Sequence, residues 1–172
     1  YEPEVIDFAS MLSPPSLEHP FGTDAFGRDI LTRIIYGART ALTIGFLSSF
    51  IGCSLGALIG MTSAYFGGRT DLILQRFVDI VLSFPIIVLA LVVVAVMGRL
   101  PVLGVDLNLV LAIAIPIIPR ACRVVRSAAL SVRAMPYIDA ARAGGYSSSH
   151  IILRHMAPNV LAPYLILLTA YV

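Results

Sequence analysis

Apolar stretches without a charged side chain occupy residues 40–68, 80–98 and 107–119. A helix needs about 20 predominantly apolar residues to cross a bilayer. The first two stretches meet that length and predict spans over about 40–66 and 80–98. The second should be kinked near its start, where Asp79 and Pro85 stand. The third has 13 residues before Arg120, or about 20 Å of helix. It therefore either continues through Arg120 and Arg123, with their side chains snorkelling, or tilts against neighbours, giving a predicted span of about 107–126. Pro116 and Pro119 predict a bend in it, and a further apolar run opens over 160–172.

Between these runs the pattern is polar. Residues 1–39 hold Pro3, Pro14, Pro15 and Pro20 and six of the ten acidic residues, so nothing there can span. Residues 29–39, with Ile30, Ile34 and Ile35 set against Arg28, Arg33 and Arg39, predict a short amphipathic helix at the membrane interface. Residues 67–76, with Arg69, Asp71 and Arg76, read as a short polar loop. Within the first span, Gly52, Gly56 and Gly60 form two overlapping small-xxx-small steps of the kind that bring helix backbones close in lipid.

Composition agrees with this picture. Apolar residues make up 58% and charged residues 13% of the 172, against about 45–50% and 25% in soluble domains. Cys53 and Cys122 have no metal-ligand or redox spacing and read as small buried hydrophobes. His19, His150 and His155 are scattered, and no nucleophile–base or carboxylate pairing marks an enzyme, so no catalytic or metal residue is expected. All twelve basic residues are Arg, and six of them fall within 120–154. That excess predicts a cytoplasmic connection there, with residues 99–106 and 1–39 external.

The same connection holds the most informative segment, about 133–159. Pro136 suits a first helical position and Asp139 the first turn. Arg142 suits the last turn, and Gly144-Gly145 stop the helix. Ser147 to Ser149 then offer an N-cap for a second helix, which Pro158 and Asn159 close. The result is a helical elbow with Ala140, Ala141 and Ala143 near its corner. On the residues alone it is either a knob for another protein's groove or a structural corner.

Asp139-Ala140-Ala141, three residues, Gly145, and Pro158 thirteen residues later together resemble the EAA loop of ABC-importer permeases. Asp139 stands where Glu is usual, Ala157 where Leu is usual, and Gly144 where a bulkier residue is frequent. A second block is His19-Pro20-Phe21-Gly22-Thr23-Asp24, then Gly27-Arg28-Asp29, Arg33 and Tyr36-Gly37-Ala38-Arg39. It resembles the segment before the second span in C-type subunits of bacterial dipeptide, oligopeptide and nickel importers. In its residues this block is turn chemistry: Gly22 and Gly27 supply turn positions, and Asp24, Arg28 and Asp29 can pair.

The resemblance implies an all-α, multi-span integral permease domain of the bacterial cytoplasmic membrane, and a fragment lacking the family's first and last spans. It implies an external segment at 1–39, a permease domain at 40–172, and import of di- or oligopeptides by alternating access. Nickel or another small solute is the alternative within the family. A second homologous permease, an extracytoplasmic binding protein and two ATP-binding subunits are the implied partners. The ATPase contact would be Tyr137, Asp139, Ala140, Ala141, Arg142, Gly145 and Pro158. ATP and Mg belong to the partner chains, since no phosphate-cradling glycine loop occurs here. A secondary transporter is the rival outside the class, but it would place ionisable groups in the first two spans, which have none. Nucleic acid is not an expected partner.

Overall fold

The computed structural model describes residues 1–102 and 105–172, and the chain divides into two compact units, Tyr1–Thr43 and Ile44–Val172. The tip of the predicted external connection 99–106, residues 103 and 104, lies outside the described residues.

The first unit is a network of turns leading into helix α1, Ile30–Phe66. Asp29 caps that helix, its carboxylate accepting from the Thr32 N–H at 2.7 Å. Thr23 is buried beneath the turns and accepts from the Ser13 N–H at 2.8 Å while donating to the Ser10 carbonyl. Gly22 and Gly27 sit at φ +74° and +71°. At Gly22 a Cβ would stand 2.5 Å from the Ser13 carbonyl oxygen, and at Gly27 it would collide with the Asp7 carbonyl. Both positions therefore need glycine for conformation and for space. One expectation changes here: α1 runs without a break through Arg39, so no separate interfacial helix occupies 29–39. No proline or helix-stopping turn separates Arg39 from the apolar run, and Thr40 and Thr43 bond back to the carbonyls four residues earlier.

Among the described residues, the regular structure of the second unit is helical apart from the short antiparallel pair β1, Pro101–Val102, and β2, Val105–Asp106. Its helices are the rest of α1, α2 (Gly68–Leu82), α3 (Ile86–Met97), α4 (Leu107–Arg133), α5 (Pro136–Ala143) and a last run, α6, Ser148–Tyr171. Among the described residues three helices, α1, α4 and α6, are long and apolar enough to cross a membrane, and the α2–α3 pair makes a fourth if it counts as one broken span.

The expected loop at 67–76 is instead the first half of α2. Its charges do not prevent a helix, because Asp71 lies in the first turn, where the helix dipole favours an anion, and pairs with Arg126 of α4. The expected span over 80–98 is not one straight helix. It breaks at 83–85 with a 90° bend between α2 and α3. Pro85 supplies no N–H, and its ring disfavours helical backbone at Phe84. The kink expected from Pro85 is thus present and is large enough to separate two helices. α3 has 12 residues, all apolar and none buried, or about 18 Å of helix, too short to cross alone.

α4 resolves the question left open at Arg120, since the helix continues through Arg120, Arg123 and Arg126 to Arg133. Pro116 and Pro119 lie inside it with their rings buried. α6 is not uniform: it is α-helical at Ser148–His150, π-helical over Ile151–Met156, 3-10 over Ala157–Val160 and α-helical again over Leu161–Tyr171. Pro158 falls in the 3-10 turn, where the chain resets its winding before the last apolar stretch.

The core lies between α1, α4 and α6. Gly52, Gly56 and Gly60 lie directly against the α4 backbone. An added Cβ would stand 2.8 Å from the Ala114 carbonyl oxygen, 2.5 Å from that of Ile118 and 2.6 Å from that of Cys122, respectively. Cys53 and Cys122 are fully buried thiols in this interface. Ser49 donates to the Leu168 carbonyl at 2.7 Å and Ser54 meets Tyr164 at 2.9 Å, tying α1 to α6.

Candidate functional site

The elbow is built as the local signals require. Met135 is the extended N-cap residue and Pro136 opens α5, where a missing N–H costs nothing. At the other end Gly145 has φ +77°, its N–H donates to the Arg142 carbonyl at 3.0 Å, and the Tyr146 N–H donates to that of Ala141 at 3.2 Å. This is the paired Schellman closure, with glycine in the left-handed position. Ser147 then caps α6 through the His150 N–H at 3.4 Å. Tyr146 stacks on His150 at 4.8 Å and meets His155 edge-on at 5.8 Å.

One side of α5 is anchored. Ile138 is 0% and Ala141 6% exposed, in a cluster with Ala64 and Tyr65 of α1, Val125 and Ala129 of α4, and Ile151 and Met156 of α6. Burying Ile138 contributes about 1.5–3 kcal/mol. The Arg142 guanidinium lies 5.0 Å from the centre of the Tyr65 ring, and Arg133 caps the end of α1 by donating to the Ala64 carbonyl at 3.0 Å. The elbow is therefore wedged against the ends of three long helices.

The other side is bare. Tyr137, Asp139, Ala140, Arg142 and Gly145 are exposed together, with Asp139 and Arg142 paired at 3.0 Å. Pro158 is exposed in α6, within the 3-10 turn. Ala141 departs from the expected contact set: it turns inward, because it follows Ile138 by three residues and shares its face.

A constellation the sequence did not expose lies behind the elbow. Arg126 of α4 holds Asp71 of α2 through two hydrogen bonds, at 2.7 and 2.5 Å. Ser63 of α1 donates to the same carboxylate, and Gln75 donates to Ser63 at 3.0 Å. Three helices thus meet at one bidentate ion pair. The only signal in the sequence was an acidic and a basic residue 55 positions apart, which no local rule connects.

In the first unit, Asp24 binds Arg28 at 2.8 Å and Arg33 at 2.5 Å, while Asp29 pairs with His19 at 3.0 Å instead of with Arg28. Arg39 is exposed, with no ion pair among the described residues. Desolvation acts to raise the Asp24 pKa, but the N–H groups of Phe26 and Arg28 and the two guanidiniums outweigh it and hold it at about 2. A depressed carboxylate stabilises the fold above its unfolded value and loses that contribution as pH falls towards its folded one. Peptic cleavage within residues 1–29 is therefore expected to accelerate between pH 4 and pH 2. In Asp24→Asn, cleavage should already be faster than wild type at pH 4, and its further rise below pH 4 should be smaller, since only Asp7 and Asp29 keep lowered pKa values within residues 1–29.

Residues 52–172 match the family described as binding-protein-dependent transport system inner membrane component. The chain belongs to this family. It is 42% identical over 168 residues to a putative peptide transport system permease protein of Brucella suis, covering 98% of this chain and 55% of that protein. It is 43% identical over 158 residues to the dipeptide transport system permease protein of Alkalihalophilus pseudofirmus, covering 92% and 50%. With the probable D,D-dipeptide transport system permease protein of Escherichia coli it shares 39% identity over 166 residues, covering 96% and 54%. The chain thus spans about half the length of the curated relatives it matches. As a member of an inner-membrane family with three helices long and apolar enough to cross, it is a multi-pass component of the bacterial inner membrane. The expectation of a helical permease domain stands on the same two findings.

Proposed function

We propose that this inner-membrane component is the permease subunit of an ATP-driven importer of di- or oligopeptides, and that α5 is where an ATP-binding partner docks. The observation that carries the docking is the two-sided elbow. Ile138 and Ala141 fix it to α1, α4 and α6, with Arg142 over the Tyr65 ring, while Tyr137, Asp139, Ala140 and Gly145 stand exposed on the other side. A movement imposed on the free side must reach the long helices through the buried side, as rigid-body alternating access requires. Peptide as cargo is supported by the names of three relatives, which are peptide, dipeptide and D,D-dipeptide transport system permease proteins. ATP and Mg would be held by two partner subunits. A second homologous permease and an external binding protein would complete the assembly, with residues 1–39 outside and 133–159 in the cytoplasm.

Ala140→Arg places a long charged side chain on the free side without touching the core. The amount of ATPase subunit that co-purifies with the subunit is expected to fall at least tenfold, with the yield of the membrane subunit itself maintained. Undiminished co-purification would remove α5 as the docking element. Peptide-loaded binding protein should stimulate ATP hydrolysis by the wild-type complex, and nickel-loaded binding protein should not.

A further inference from the structure

We infer that the exposed polar face in the second half of α4 lines the solute path and that Arg120 there binds the carboxylate of the transported peptide. The inference rests on the peptide-importer reading and adds to it a ligand group and a residue.

α4 has one buried and one open face. Gly52, Gly56 and Gly60 of α1 cover the side bearing Ala114, Ala121 and Cys122. The open side begins apolar, with Leu109 and Ile113 exposed, and then becomes mixed: Arg120, Arg123, Ser127 and Ser131 are all exposed, with Val124 among them and Leu130 at their edge. The four polar residues recur at spacings of three and four residues, so they form one strip. Hydrocarbon does not tolerate such a strip. Charged side chains within spans face water-filled cavities or polar partners, and they mark substrate pathways. Arg120 stands 13 residues from each end of the 27-residue α4, about 20 Å along the helix either way.

The two arginines are not equivalent. Arg123 is bound to Asp79 of α2 at 2.6 Å. Arg120 has no ion pair or hydrogen bond from its guanidinium among the described residues. It lies beside a small cavity at the α2–α3 bend lined by Phe84, Ile86 and Leu89 together with Pro116 and Pro119. Past Arg123 the small side chains Ser127, Ala128 and Ser131 leave an open groove of about 530 Å³. The Arg120 guanidinium, with its donors free beside the bend, matches a carboxylate, which it can hold in bidentate fashion; the groove farther along the strip is lined instead by Arg123, Val124, Ser127, Ala128, Ser131 and Pro163. It also matches the amide groups of a short peptide chain, which the hydroxyls can bond.

The test uses the complete transporter in vesicles: the full-length subunit with its partner permease, ATPase subunits and binding protein, and a labelled dipeptide as probe. Cys53 and Cys122 are both 0% exposed, so an added thiol is the one a reagent reaches. Ser127→Cys is expected to react with a membrane-impermeant charged thiol reagent at least tenfold faster than Val92→Cys on apolar α3. Arg120→Gln is expected to lower dipeptide uptake at least tenfold, and Arg120→Lys should restore part of it, with co-purifying ATPase verifying assembly of each variant. Wild-type uptake by Arg120→Gln, or equal reaction rates at the two cysteines, overturns the inference and leaves the importer reading intact. No dipeptide uptake by the wild-type vesicles overturns the importer reading itself, and the carboxylate ligand with it.

Discussion

Gly56→Val is expected to abolish assembly of the membrane unit, measured as loss of monodisperse subunit after detergent extraction. A Cβ at Gly56 would stand 2.5 Å from the Ile118 carbonyl oxygen, 2.7 Å from the Ala121 Cβ and 2.9 Å from the Cys122 N. Two of these are backbone atoms, which cannot rotate away. Relief requires α4 to move off α1, and that separation would also open the contacts at Gly52 and Gly60. Overpacking by one or two methyl groups typically costs 1–3 kcal/mol when side chains can give. Here they cannot, so the cost should exceed that range and approach the whole stability of a domain, about 5–15 kcal/mol. Gly37→Ala is the control: a Cβ at Gly37 has nothing within 4 Å, and the substitution should be neutral or stabilising by up to about 1 kcal/mol. Normal extraction of Gly56→Val would mean that the backbones are not in contact.

The second large effect is expected at the ion pair between α2 and α4. Arg126→Leu leaves the Asp71 carboxylate with only Ser63 as a side-chain donor, in a position where it is 20% exposed. Removing one partner of a fully buried pair costs about 3–5 kcal/mol. Partial solvent access reduces this to roughly 2–3 kcal/mol. Asp71→Leu in the same background removes the orphaned charge, and the double variant should be more stable than Arg126→Leu alone. Thermal unfolding of the purified complex across the four-member cycle measures the coupling directly. Additive single effects would show that the pair contributes nothing of its own.

The two predictions fall on opposite sides of what the sequence made legible. The glycine stripe could be read because its information is local: three small residues at a spacing of four within an uncharged run. The elbow was legible for the same reason, since Pro136, Gly145 and Ser147 each act within one helical turn of their own position. α4 was legible as a long apolar helix, although its extent through Arg123 and Arg126 depended on the aspartates of α2 that they meet. The pair Asp71–Arg126 was hidden, and so was α2, whose Arg69, Asp71 and Arg76 read as loop residues until a partner 55 positions away is in place. His19 likewise looked incidental, because its partner Asp29 is set by two tight glycine turns. The π-helical winding at Ile151–Met156 had no counterpart in composition, and it brings Ile151, Ile152 and Met156 into the core beneath α5. That Ala141 faces the core beside Ile138 was not legible either, because a motif gives residue types and spacing and leaves their facing to the packing.

The fit of α1 against α4 also has a mechanical meaning. Where backbone rests on backbone there are no side chains to tilt, so the contact has almost no give, and the two helices must travel together as one strut. Compliance has to come from elsewhere in the chain. The turn at 83–85, where the chain bends by 90° between α2 and α3, is one break in the helical run. A push delivered at α5 would then move α1 and α4 as one body and be taken up at breaks of this kind.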